Sequence, residues 1–201
     1  MTALLPAVLI IFSYLLGSIP SAYIAGRALK GIDIRKVGDG NVGAANAYHE
    51  IGRFAGWIVL VVDVCKGAAA VLITQIFASQ LIVFLAGLAV IVGHTWPLYI
   101  GFKGGRGEAT TAGVLVALLP QAMLSLLGIA IIPFAITRNT MVLGAILFAP
   151  LWLGALIMGA SGALISYSAA LPCLVGISHF VTTRHLAPGA KQKGRYMRYL
   201  K

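Results

Sequence analysis

Between two long apolar runs the chain reads WPLYIGFKGGRGEATTAG, residues 96–113. Lys103, Gly104, Gly105, Arg106, Gly107 and Glu108 follow one another there. Ionisable side chains are costly near a bilayer core unless something uses or pairs them. A glycine-rich turn lets backbone N–H groups approach a ligand closely. Two cations flank this one, and helix-forming residues follow from Glu108. Together these features can cradle an anion such as phosphate. The same residues also suit a tight turn anchored by two interfacial cations, and spacing alone favours neither reading. The Walker A pattern GxxxxGK[ST] is absent. A second glycine-rich stretch, Gly38-Asp39-Gly40-Asn41-Val42-Gly43-Ala44-Ala45-Asn46, lies in the longest polar segment. Its Asn41 and Asn46 can bond substrate oxygens or fix the loop as turn and cap residues. Arg184 and His185 open a cationic tail. His185 can move a proton or donate to phosphate, or it can simply snorkel at a helix end. His94 and His179 read as structural, His179 as an interhelical hydrogen-bonder.

The elements that carry these loops are apolar. Of 201 residues, 60% are hydrophobic and 10% charged, against about 25% charged in a soluble domain. Mean hydropathy is +0.96. The chain therefore reads as an all-α integral membrane protein, one polytopic domain over residues 1–201. Its net charge of +10 is read through loop topology and anionic lipid, not through nucleic acid. Cys65 and Cys173 show no disulfide or metal spacing and read as small buried hydrophobes. The first apolar run has no basic leader and reads as a retained span.

Apolar runs cover residues 4–25, 54–78, 81–93, 109–136, 141–158 and 163–183. The first holds Gly17-Ser18-Ile19-Pro20-Ser21, which predicts a kink whose freed backbone groups Ser18 and Ser21 can satisfy. The second holds Asp63 and Lys66 on one helix face, which predicts an internal ion pair. Residues 109–136 are too long for one comfortable span. With a turn at Pro120 there are about seven spans, the N-terminus outside and the C-terminus cytoplasmic. Every loop Lys and Arg then falls inside, as the positive-inside rule prefers. The fourth span, from Ala109, is short, so it starts earlier, tilts or is partly re-entrant. This topology gathers residues 27–53, 94–108 and 184–201 on the cytoplasmic face, where they suit an anionic, phosphate-bearing, partly lipidic ligand. A transporter would place more ionisable groups at mid-membrane and often shows an internal repeat, and neither is evident.

Several of these segments, in order, resemble the bacterial acyl-phosphate:glycerol-3-phosphate acyltransferases. The likeness runs through Gly17-Ser18-Ile19-Pro20-Ser21, Asp33-Ile34-Arg35, Gly40-Asn41-Val42-Gly43-Ala44-Ala45-Asn46, Asp63-Val64-Cys65-Lys66-Gly67, Gly93-His94-Thr95-Trp96-Pro97, residues 102–110 and Arg184-His185. The resemblance implies transfer of a fatty acyl group from acyl phosphate to the 1-hydroxyl of glycerol 3-phosphate, giving lysophosphatidate. It implies no metal, cofactor, coenzyme A or covalent acyl-enzyme. The implied partners are the two substrates and anionic membrane lipid, and oligomeric state is left open. The implied place is the bacterial inner membrane, with the site facing the cytoplasm.

Residues and resemblance together nominate Lys103, Arg106 and His185 as catalytic. They nominate Arg35, Gly40, Asn41, Gly43, Asn46, Gly104, Gly105, Gly107 and Arg184 as substrate- or phosphate-binding. The chain departs from the family patterns SGSGNxGATNxxR, KGGKGVAT and RHxxNI at several points. Asp39 stands for serine, Ala45 for threonine, His49 for arginine, Arg106 for lysine, Glu108 for an apolar residue and Pro188 for asparagine. Asp39 repels phosphate unless it points away or pairs with Arg35 or Lys36. A catalytically altered lipid-binding paralogue is therefore the alternative to an active enzyme.

Overall fold

The computed structural model describes residues 4–137 and 140–183; Arg184, His185 and Pro188 lie outside them. Every regular element among the described residues is helical. The order is α1 (Leu4–Gly17), α2 (Ser21–Lys30), a 3-10 turn (Ile34–Lys36), α3 (Ala44–Glu50), α4 (Arg53–Phe77) and α5 (Gln80–Thr95). A second 3-10 turn (Leu98–Ile100) leads to α6 (Glu108–Leu118), α7 (Pro120–Thr137), α8 (Thr140–Phe148), α9 (Leu151–Ile157) and α10 (Gly162–Thr183). Among the described residues, five stretches are long and apolar enough to cross a bilayer: Leu4–Lys30, Arg53–Phe77, Gln80–Ile100, Pro120–Thr137 and Gly162–Phe180. Glu108–Leu118 is a shorter apolar helix, and Val142–Ile157 a shorter apolar stretch spanning parts of α8 and α9. Phe54, Trp57, Ile76, Ile136 and Phe180 are exposed on the outside of the bundle, as a lipid-facing surface requires. Cys65 and Cys173 share that exposure. This corrects the expectation that both are buried, because an apolar run is apolar on its lipid face as well as its packed one.

The helix breaks have local causes. Pro20 has no N–H to donate, so α1 ends at Gly17 and α2 restarts at Ser21. Ser18 donates its hydroxyl to Tyr14 O at 2.9 Å, a carbonyl that already accepts the Ser18 N–H at 2.9 Å, so it recovers no freed group. Ser21 recovers none either, because its hydroxyl donates to Asp63 on α4 at 2.7 Å. At the second expected turn, α6 ends at Leu118 and Pro120 opens α7, a position for which its fixed φ is suited. Residues 141–158, read from sequence as one unbroken run, are two helices, because Pro150 interrupts the ladder between α8 and α9.

Packing follows membrane rules. A Cβ at Gly67 would strike the Thr110 carbonyl, and one at Gly113 would strike the Val64 carbonyl, so the backbones of α4 and α6 touch. Val71, Val83, Val90, Val114 and Leu171 form one buried cluster joining α4, α5, α6 and α10. A second cluster, including Ala22, Ile34, Val42, Ala47, Ile51 and Val59, pins the first polar loop onto α2, α3 and α4. That loop is therefore folded over a small apolar core of its own.

Candidate active site

The first loop is braced from within. Asp33 accepts the Arg35 backbone N–H at 3.1 Å, capping the 3-10 turn. It also accepts the Arg35 guanidinium in two-point fashion, Nε to Oδ1 at 2.9 Å and Nη2 to Oδ2 at 2.8 Å. Arg35 Nη1 crosses to the second polar segment and donates to Ile100 O at 2.8 Å. The guanidinium also lies 5.0 Å from the ring centre of Tyr23. The Arg35 hydrogen bonds hold the Asp33 carboxyl well below the usual carboxylate range, and Asp33 in turn raises the Arg35 guanidinium. Arg35, nominated for substrate, is engaged as a tie between loops. Asn46 is likewise engaged: its Nδ2 lies 3.0 Å from Asn41 O and 3.2 Å from both Ile34 O and Val37 O. With the Asn46 side chain buried, the loop-fixing reading of this residue is the one that its contacts carry.

The central loop doubles back on the end of α5. Gly104 N–H donates to Thr95 O at 3.1 Å and Gly105 N–H to His94 O at 3.0 Å. Of the two readings open for these donors, anion cradle and tight turn, their hydrogen bonds are those of the turn. Gly105 is wedged so tightly that a Cβ there would strike His94 Nε2 and stand 2.8 Å from Val42 O. The central loop thus rests directly on the first. Arg106 Nη2 then pairs with Asp39 Oδ2 at 2.9 Å. The expectation for a phosphate site here was that Asp39 points away or pairs with Arg35 or Lys36; its partner is Arg106, and Arg35 is held by Asp33. Gly107, with φ of +84°, turns the chain into α6, a conformation that suits glycine. Glu108, one residue on, meets His179 Nδ1 of α10 at 2.7 Å, so His179 is interhelical as expected.

Beneath both loops lies a buried ionic cluster. Lys66 Nζ stands 2.8 Å from Asp63 Oδ1, giving the internal pair expected from their spacing. It also donates to Ile19 O at 3.1 Å, at the α1–α2 break beside Pro20. Its third contact is His94 Nδ1 at 2.8 Å. A lysine ammonium has only donors, so Nδ1 accepts and Nε2 carries the ring hydrogen that faces Gly105. The sequence reading missed this junction of broken helix, ion pair and central loop. The pair of charges in α4 was visible; what they hold was not.

What remains for a ligand is small. The Lys103 and Lys36 side chains are exposed and make no ion pair or hydrogen bond among the described residues. Asn41 bonds through its backbone, to Asp39 Oδ1 at 3.1 Å and to Asn46, and its side-chain amide stays available. Gly40, at φ +70°, and Gly43, in extended backbone, shape the loop around it. Ala45 is exposed on the first turn of α3, and His49 sits on its last turn. Beside the loops an apolar groove of about 370 Å³ is lined by Ile19, Pro20, Tyr23, Ile24, Tyr99 and Ile100. A polar corner bearing Lys103 thus adjoins a greasy slot.

The chain was also compared with known proteins. The family model for glycerol-3-phosphate acyltransferase matches residues 7–189. A glycerol-3-phosphate acyltransferase 4 of Dehalococcoides mccartyi is 42% identical over 183 residues, covering 90% of this chain and 98% of that one. A glycerol-3-phosphate acyltransferase of Parasynechococcus marenigrum is 37% identical over 194 residues, covering 96% and 90%. The crystal structure of PlsY (YgiH), an integral membrane glycerol 3-phosphate acyltransferase in its glycerol 3-phosphate form, superposes with a TM-score of 0.81 at 31% identity, covering 92% and 93%. Helix order, loop placement and these matches agree: the chain belongs to the glycerol-3-phosphate acyltransferase family.

Proposed function

We propose that this protein acylates the 1-hydroxyl of glycerol 3-phosphate with acyl phosphate as donor, at the cytoplasmic face of a bacterial inner membrane. The observation that carries the reading is the meeting of the two glycine-rich loops beside an apolar groove, with Lys103 unpaired among the described residues. The hydroxyl oxygen attacks the acyl carbonyl carbon; the ester C–O bond forms, the C–O bond to phosphate breaks, and phosphate leaves. The hydroxyl proton passes to a phosphate oxygen or to His185. Acyl phosphate is already activated, so the protein's task is orientation and charge neutralisation. Lys103 takes a phosphate, the Asn41 amide bonds substrate oxygens, and the groove takes the start of the acyl chain.

Seven crossings fit this picture: α1 with α2, then α4, α5, α6, α7, α8 with α9, and α10. The N-terminus is then outside, and the loop cations and the tail are inside. Helix α6 has 11 residues, so it is only about 16 Å long, roughly half a bilayer core. The central loop therefore dips below the headgroups. Irregular backbone is tolerated at that depth only where protein satisfies it, which is what the His94 and Thr95 carbonyls do for Gly104 and Gly105.

The test is a coupled assay of phosphate release and lysophosphatidate formation, with palmitoyl phosphate and glycerol 3-phosphate, on purified protein in lipid. Lys103→Ala is expected to lower kcat/KM for glycerol 3-phosphate by about 10- to 100-fold, the loss of one charge-assisted hydrogen bond, with thermal stability unchanged. No product from folded wild-type protein overturns the reading and favours the altered paralogue.

A further inference from the structure

We propose that Asp39 and Arg106 are a mutually neutralising brace that locks the two glycine-rich loops together, and that Arg106 positions the site without itself binding phosphate; this rests on the acyltransfer reading above. The geometry is specific. Asp39 Oδ2 holds Arg106 Nη2 at 2.9 Å, and the Arg106 side chain is only 11% exposed. The other carboxylate oxygen, Oδ1, caps the Asn41 backbone N–H at 3.1 Å. Asp39 N–H points to Asn46 Oδ1 at 3.4 Å, and Asn46 Nδ2 returns to Asn41 O at 3.0 Å. One aspartate therefore fixes the turn that presents Asn41 and grips the neighbouring loop. The same contact masks its own negative charge, which would otherwise face the phosphates. A site with a bare carboxylate at position 39 repels its substrates; a site with the pair does not. The phosphate-facing charge of the central loop then falls to Lys103.

If Arg106 instead binds phosphate directly, removing it costs the same whatever stands at position 39. If it masks Asp39, the cost depends on that carboxylate. The experiment compares wild type, Arg106→Ala, the double variant Arg106→Ala with Asp39→Ser, and the double variant Asp39→Asn with Arg106→Gln. The readouts are KM for glycerol 3-phosphate in the coupled assay and thermal stabilisation by inorganic phosphate, which needs no turnover. We expect Arg106→Ala to raise KM about tenfold or more, the effect of one unscreened like charge near the ligand, and to abolish stabilisation by phosphate. Adding Asp39→Ser should recover most of both. The Asn/Gln pair keeps an uncharged bridge and should stay within about threefold of wild-type KM. Equal KM for Arg106→Ala with and without Asp39→Ser overturns the brace, as does an Asn/Gln pair as impaired as Arg106→Ala. A wild type that makes no lysophosphatidate fails the acyltransfer reading instead, and the phosphate-stabilisation series still judges the pair.

Discussion

Lys66 is the residue whose loss the structure makes most consequential for stability. Its side chain is 4% exposed and that of Asp63 1%, with 2.8 Å between Nζ and Oδ1. Lys66→Met removes three contacts at once: Asp63, His94 and the Ile19 carbonyl. The hydroxyl of Ser21 at 2.7 Å remains on Asp63, and His94 Nδ1 lies 3.6 Å away. Breaking a buried pair by removing one partner typically costs about 3–5 kcal/mol, because the other charge is stranded. For a chain of this size each kcal/mol shifts Tm by roughly 2–4 °C, so a fall of about 6–20 °C is expected. Adding Asp63→Asn should recover much of that loss. The asparagine can still accept from Ser21 and leaves no stranded charge. The remaining deficit is the Ile19 hydrogen bond to a charged donor, about 1–3 kcal/mol. The assay is thermal unfolding of wild type, both single variants and the double variant in one detergent, read as a double-mutant cycle. A double variant no more stable than Lys66→Met alone would refute the reasoning. The charge of Asp63 would then be irrelevant, and Lys66 would act only through Ile19 and His94.

Two other predictions test the loops. Gly105→Ala places a methyl group against His94 Nε2 and Val42 O; it should destabilise by about 1–3 kcal/mol as an overpacked site does and sharply reduce lysophosphatidate formation. The contrasting Gly128→Ala, in α7 with open space around it, should leave activity intact and stability equal or up to about 1 kcal/mol higher; equal damage from both would show that the wedge is not the cause. The lowered Asp33 carboxyl sets an acid limb. Because its folded value lies below the unfolded one, its stabilisation is fully present above the unfolded value of about 3.9 and is lost as pH falls through the folded value. Tm of wild type minus that of Asp33→Asn should therefore stay constant from pH 8 to about 5 and shrink below about 4; a difference unchanged well below pH 4 would contradict it.

The architecture was legible because its signals are strong and local. Proline at positions 20 and 120 marked two breaks, and apolar runs marked the helices. The i,i+3 spacing of Asp63 and Lys66 gave their pairing. The candidate site was legible as segments but not as partnerships. Nothing in the sequence says that Gly104 and Gly105 turn their N–H groups toward residues 94 and 95, since a glycine run looks alike whether it cradles an anion or closes a turn. Arg35 and Asp33 are two residues apart, so their pairing could have been read; the reach to Ile100 could not. The pairing of Asp39 with Arg106 joins residues far apart in the chain, and each taken singly reads only as a departure from the family pattern. Pro150 carried the same signal as Pro20, yet the reading passed it over because the surrounding run is continuously apolar.

In these loops bracing and binding draw on the same groups, and bracing has taken most of them. Arg35, Arg106, Asn46 and two glycine amides are engaged within the protein. For a reaction that must build its own leaving group this would be a poor allotment. For the acyl phosphate proposed as donor it is adequate, because such a donor arrives activated and the protein would gain mainly by holding two substrates in line. Holding requires loops that do not move, and loops rich in glycine move unless their backbone is tied. The ties at Asp33, Asp39 and His94 supply that stiffness from three directions. On this view substitution at positions 39 and 106 preserves the site as long as no unpaired carboxylate is left at position 39. Under the proposed function, what must not be exchanged is Lys103, whose charge no protein group among the described residues claims.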